Sequence, residues 1–152
     1  MKNKWMLAKN ILLPVILGGI IGLIISGFMD YNTLNQPPLS PPGFLFGIVW
    51  TILYLLMGIA YGILVYQGKS DETVSKIYWT QLIVNLIWPI LFFVFKLRLL
   101  SILWIILLLI LVINMIIEFY KKDKMIAYTQ IPYVVWLLFA TYLNTGVYLL
   151  NK

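Results

Sequence analysis

The chain has 152 residues, of which 62% are hydrophobic and only 11% charged, with a mean hydropathy of +0.97 and a formal net charge of +6. A soluble domain carries roughly 25% charged residues, so these few charges cannot cover a soluble surface, and five spans of about 20 residues leave room only for loops. The sequence contains no cysteine and no histidine, which excludes disulfides, thiolate nucleophiles, Cys/His zinc sites and His-ligated haem, and no metal or resident cofactor is expected.

The first apolar run covers residues 11–29 and is broken only by Pro14 and small residues. Lys2, Lys4 and Lys9 ahead of it resemble the charged start of a secretory signal. The run is long for such a signal, however, and no small-x-small cleavage site precedes Asp30, so an uncleaved first helix is expected. Further runs follow at 44–66, 77–95, 99–119 and 128–150, the fourth being the most purely aliphatic. Long apolar runs without alternation do not suit barrel strands. The expected fold is an all-α integral membrane protein, a single five-helix bundle spanning residues 1–152.

Charge placement sets an expected orientation, because Lys and Arg accumulate on the cytoplasmic side. Lys2, Lys4, Lys9, Lys69, Lys76, Lys121, Lys122 and Lys124 fall on one side, against Lys96, Arg98 and Lys152 on the other. The N-terminus is therefore expected in the cytoplasm. No basic stripe interleaves with exposed aromatics, so nucleic acid is not an expected partner.

The connection at residues 30–43 contains Pro37, Pro38, Pro41 and Pro42. Proline fixes φ and biases its predecessor to extended backbone, so a stiff arm over the helix ends is expected, with Pro41 or Pro42 in the first turn of the second helix. It reads either as a plain connector or as a lid.

Polar groups inside spans need partners or a purpose. Gln81 and Asn85 share a face of the third helix, Asn114 lies toward the end of the fourth, and Asn144 lies well inside the fifth. They read as interhelical hydrogen bonds or, for Asn85 and Asn144, equally as cavity lining. Asp30, Asp71, Glu72, Glu118 and Asp123 all fall at span ends or in loops, which argues against ion pumping and against acid–base hydrolysis within the membrane. Trp50 and Tyr54 are one turn apart, as are Trp88 and Phe92, while Trp136, Ala140, Leu143 and Val147 form a stripe with Phe139 beside it. Mid-membrane tryptophans serve either bundle packing or the aromatic walls of a site for a flat apolar ligand. Gly18, Gly22 and Ser26, and Gly58 with Gly62, permit close helix approach within the bundle or between two copies.

The run from Pro37-Pro38-Leu39-Ser40-Pro41-Pro42-Gly43 through Trp50-Thr51-Ile52-Leu53-Tyr54 to Met57-Gly58 resembles the second-helix entry of the TspO/MBR family, the tryptophan-rich sensory proteins related to the translocator protein or peripheral benzodiazepine receptor. Gln81-Leu82, Asn85, Trp88 and Phe92-Phe93 resemble its third helix, and Pro132-Tyr133, Trp136, Phe139-Ala140 and Leu143-Asn144 its fifth. The resemblance implies a five-helix bundle, commonly a homodimer, that binds porphyrins or other hydrophobic small molecules in a pocket under the first loop. It implies a pocket lined by Trp50, Asn85, Trp88, Phe92, Trp136, Phe139, Ala140, Leu143 and Asn144, with Tyr31, Pro41 and Pro42 above it. Leu39 and Phe44 stand where the family often has tryptophan, which weighs against the photo-oxidative porphyrin degradation attributed to some bacterial members. Transport or a purely structural role are the remaining alternatives. A weak sterol-contact pattern is met by Leu143, Tyr148 and Lys152. The Lys- and Ile-rich, short-tailed chain reads as bacterial, which argues against cholesterol itself.

Overall fold

The structure is a computed structural model and describes residues 4–152; Lys2, which enters the charge count above, lies outside them. Helix α1 runs Lys4–Ser26, α2 Gly43–Tyr66, α3 Glu72–Pro89, α4 Arg98–Lys122, α5 Lys124–Tyr128 and α6 Ile131–Asn151. A π-helical turn, Ile90–Val94, prolongs α3, and α5 with α6 forms one span broken at residues 129–130. Five spans are thus long and apolar enough to cross a bilayer.

The helices obey their surroundings in ways the sequence explains. On α4 the residues Ile105, Leu108, Val112, Met115 and Phe119 are completely buried, at alternating three- and four-residue spacing. Leu103, Ile106, Ile110, Ile113 and Ile117 on the remaining surface are just as aliphatic, yet exposed. A helix that is apolar all round, with only one face packed on protein, turns the other to hydrocarbon. Helix α4 packs against both α3 and α6, while α1 lies along α2 and touches α3.

The α1–α2 contact depends on backbone chemistry. Pro14 has no N–H to give to the preceding turn, and in that turn the carbonyls of Asn10 and Ile11 come up against Gly58. A Cβ on Gly58 would stand 2.7 Å from the Ile11 oxygen and 2.8 Å from that of Asn10. Only a glycine fits there.

At the ends, Asp71 and Asp123 cap α3 and α5 through their side chains, accepting from Val74 N in the first case and from Met125 N and Ile126 N in the second. Each also meets a lysine from the other connection: Lys122, the last residue of α4, reaches Asp71 at 2.6 Å, and Lys69, between α2 and α3, reaches Asp123 at 3.1 Å. The two loops on that side are therefore cross-braced.

The 30–43 connection is an ordered strap. It starts with a 3-10 turn, Tyr31–Thr33, and Tyr31 is buried with its hydroxyl donating to the Pro41 carbonyl at 2.9 Å. Pro42 stands immediately before α2, extended at ψ 148°, so the helix starts one residue after the prolines rather than at one of them. The middle of the strap rests on α6. Asn35 and Asn151 exchange two hydrogen bonds of 3.0 and 2.8 Å, and the Tyr142 hydroxyl donates to the Pro38 carbonyl at 2.6 Å. Pro37 packs directly on Gly146.

Candidate functional site

Under the strap lies a cavity of about 380 Å³, bounded by α1, α2, the α3 end and α6. Its walls are aromatic and small at once. Trp50 and Tyr54 face it from α2, Trp88, Phe92 and Phe93 from α3, and Ala140, Leu143, Asn144 and Val147 from α6; Met29 and Tyr31 close it above.

The π-helical turn explains how two consecutive phenylalanines reach one cavity. In an α-helix, neighbours point about 100° apart. Here Pro89 ends the regular ladder, and Phe95 N bonds instead to Ile90 O at 3.0 Å, which widens the turn and brings both Phe92 and Phe93 inside. Trp88 stacks on Phe92 with ring centroids 5.1 Å apart, and Trp50 lies 6.4 Å from Trp88 and 6.3 Å from Trp136.

Most polar groups on this wall are committed to the protein itself. Trp88 donates its indole N–H to Asn144 Oδ1 at 3.0 Å, and Asn144 Nδ2 donates to the Arg98 carbonyl at 3.1 Å. The Tyr54 hydroxyl donates to Asn85 Oδ1 at 2.6 Å. Behind it Asn85 Nδ2 donates to the Tyr133 hydroxyl at 2.5 Å, which donates to Gln81 Oε1 at 2.8 Å. This relay joins α2, α3 and α6 at the cavity floor. A buried network with each of these donors paired fixes the rings in place, whereas an unpaired one would be costly. What is left for a ligand is aromatic surface, contact with small residues, and few directional bonds.

The residues expected at a site fall into four groups. Tyr31, Trp50, Trp88, Phe92, Ala140, Leu143 and Asn144 all line the cavity. Asn85 sits one layer behind it, completing Tyr54, and Pro41 acts through the Tyr31 hydroxyl. Trp136 and Phe139 line a second, outward-facing apolar groove between α2 and α6, where Trp136 also meets Phe46 at 5.7 Å. Pro42 lines neither space and stands as the residue immediately before α2. Of the sterol pattern, Leu143 faces the cavity, Tyr148 is half-buried and Lys152 is exposed.

Sequence reasoning missed the contribution of α1. Val15, Gly18, Gly19, Ile21 and Gly22 line the cavity, and Gly18 lies directly against the Tyr54 ring. Gly19 and Gly22, with Gly47 and Thr51 across from them on α2, are lining residues that remain exposed, so the cavity is open sideways between these two helices. The small-residue stripe on α1 was the available signal, but spacing alone does not distinguish a helix contact from a cavity wall. Among the described residues no group of three or more acidic, His or Cys side chains could hold a metal ion.

Comparison with known proteins places this geometry. The sequence profile of the TspO/MBR family matches residues 10–149. The chain is 40% identical over 122 residues to the tryptophan-rich protein TspO of Archaeoglobus fulgidus, covering 80% of this chain and 79% of that one. It is 33% identical to the translocator protein homolog of Schizosaccharomyces pombe over 99% of this chain and 93% of the relative. It is 30% identical to the tryptophan-rich sensory protein of Cereibacter sphaeroides, over 80% and 76% of the two chains. A match over nearly the whole length, on a five-span bundle, makes this chain a multi-pass integral membrane protein of the TspO/MBR family.

Proposed function

We propose that this protein is a membrane-embedded receptor or sensor that binds porphyrins or similar flat, hydrophobic molecules in the cavity beneath the 30–43 strap. One observation carries the reading: a cavity of about 380 Å³ walled by Trp50, Tyr54, Trp88, Phe92 and Phe93, whose polar wall groups are largely tied up by the protein. Small-molecule sites run from about 300 to 1,000 Å³ and are mostly apolar with few polar groups. A planar ring system is what such walls hold best, because stacking supplies the affinity that hydrogen bonds do not. The names of the relatives, a tryptophan-rich sensory protein and a translocator protein homolog, are consistent with ligand sensing or passage.

The accompanying assignments are a homodimer in a bacterial cell membrane with the N-terminus in the cytoplasm. Reporter fusions within residues 30–43 should then read as external, and a cytoplasmic signal there would reverse the orientation.

The deciding experiment is titration of the purified protein in neutral detergent with a free-base porphyrin, followed by tryptophan quenching in the dark and under illumination. Saturable quenching with the porphyrin spectrum preserved supports a receptor. Light-dependent loss of porphyrin absorbance would make it a degrading enzyme, and quenching without saturation would leave the aromatic wall a packing feature.

A further inference from the structure

At the strap end of the cavity, the turn after α3 carries two cations to one carboxylate. Lys96, held at φ 54°, places its Nζ 3.6 Å from Asp30 Oδ2. Arg98, the first residue of α4, gives one Nη2 to both Asp30 oxygens at 2.9 Å. The cluster therefore holds one positive charge more than Asp30 can balance. Arg98 is largely withdrawn from water, its side chain 13% exposed, and its buried Nε has no hydrogen-bond partner among the described residues.

This cluster stands directly behind the cavity wall. The Arg98 guanidinium lies 5.1 Å from the centre of the Phe92 ring, and Phe92 lines the cavity. The Arg98 carbonyl is held by Asn144, another lining residue. Met29 and Tyr31, the chain neighbours of Asp30, both close the cavity from above. Asp30, Lys96 and Arg98 do not themselves line the cavity, so a ligand filling the aromatic space would reach the surplus positive charge and the unpaired Nε by extending an acid group past Phe92 and the Met29–Tyr31 rim. Guanidinium groups recognise carboxylates through paired, charge-assisted bonds, and a half-exposed lysine on a flexible stem can turn toward a new partner.

We propose that Lys96 and Arg98 form a carboxylate-recognition site at the strap end of the cavity, in which Asp30 is the internal competitor for the ligand's acid group. The inference rests on the reading of the cavity as a porphyrin-type site and narrows its ligand class to flat hydrophobic acids, as opposed to their neutral esters. Recognition is by ion pairing alone, and no bond is made or broken.

The test compares protoporphyrin IX, which carries two carboxylates, with its dimethyl ester on the full-length protein in neutral maltoside micelles. The wild type should prefer the acid. Lys96→Gln, at an exposed side chain, should weaken acid binding by about five-fold, corresponding to about 1 kcal/mol, and leave the ester unchanged. Lys96→Arg should restore the preference, and Asp30→Asn should tighten the acid alone. Equal affinity of acid and ester in every variant would overturn the inference while leaving the cavity reading intact. Absence of saturable binding by either compound would overturn both. Phosphatidylglycerol added to the micelles distinguishes the other source of an anionic oxygen: selective displacement of the acid by this lipid would assign the two cations to a headgroup and overturn the inference, whereas undisturbed acid binding supports it.

Discussion

Trp88 on α3 and Asn144 on α6 are joined by a 3.0 Å bond from the indole N–H to the amide oxygen, and the same amide holds the Arg98 carbonyl of α4. One side chain thereby fixes the plane of an aromatic wall and the junction of three helices. Within a bilayer such bonds contribute about 0.6 kcal/mol on average and up to about 1.7. A double-mutant cycle of Trp88→Phe and Asn144→Leu, read by unfolding in detergent, should give a coupling in that range. A coupling indistinguishable from zero would mean that the ring is held by packing alone.

The tryptophans divide by position. Trp50 lines the cavity, Trp136 supports it from the α2–α6 groove, and Trp104 donates to the Val84 carbonyl at 2.8 Å away from both. Aromatic contacts are worth about 0.5–1.5 kcal/mol beyond burial, so Trp50→Phe should weaken porphyrin binding by roughly two- to twelve-fold. Trp136→Phe should have a smaller effect and Trp104→Phe none. Fluorescence titration of the three variants checks the order, and equal losses would place the ligand elsewhere.

Gly58 tests the α1–α2 junction. Adding a methyl group sets it against two backbone carbonyls, which cannot yield as a side-chain tip can. Overpacking of this kind costs typically about 1–3 kcal/mol. Gly58→Ala should lower the melting temperature, whereas Gly19→Ala, where nothing lies within 4 Å of the new atom, should not. Equal melting of the two variants would show that α1 is free to shift.

The cross-braced loops predict an acid response. The Lys122 hydrogen bond, with help from Val74 N, holds the Asp71 carboxyl below its ordinary value, and Lys69 with Ile126 N does the same for Asp123. A depressed folded-state value means that the charged form is favoured by folding. The contribution is complete above the ordinary carboxylate range and disappears as pH falls through the lowered values. Melting temperature should therefore drop on acidification into that range, and Asp71→Asn with Asp123→Asn should flatten the drop. An unchanged slope in the double variant would put the acid sensitivity elsewhere.

The spans were legible because hydrocarbon leaves so few alternatives: long apolar runs with end charges can only be helices. The family motifs likewise marked Trp50, Trp88, Ala140 and Leu143, all of which line one space. Other features depend on which neighbour a helix meets, and periodicity carries no such information. Asn85 could be read as lining or as a bridge, and its distance to Tyr54 and Tyr133 decides for the bridge. The π-helical turn that brings Phe92 and Phe93 together follows Pro89, yet a proline near a helix end more often simply stops it. The Asp30–Arg98 pair joins residues far apart in sequence, and each looked like an ordinary end charge.

The sideways opening at Gly19, Gly22, Gly47 and Thr51 bears on which phase would supply the proposed ligand. These residues belong to α1 and α2, two of the spans long and apolar enough to cross a bilayer, while the strap is fastened to α6. For the binding proposed above, an opening between two membrane-spanning helices would make the hydrocarbon layer the reservoir, where a flat apolar molecule is concentrated by partitioning. An aqueous dissociation constant measured on this protein is the product of a partition coefficient and an intrinsic affinity. Varying the lipid-to-protein ratio at fixed total ligand separates the two, and mole fraction in the membrane is the concentration scale on which ligands of different solubility should be ranked.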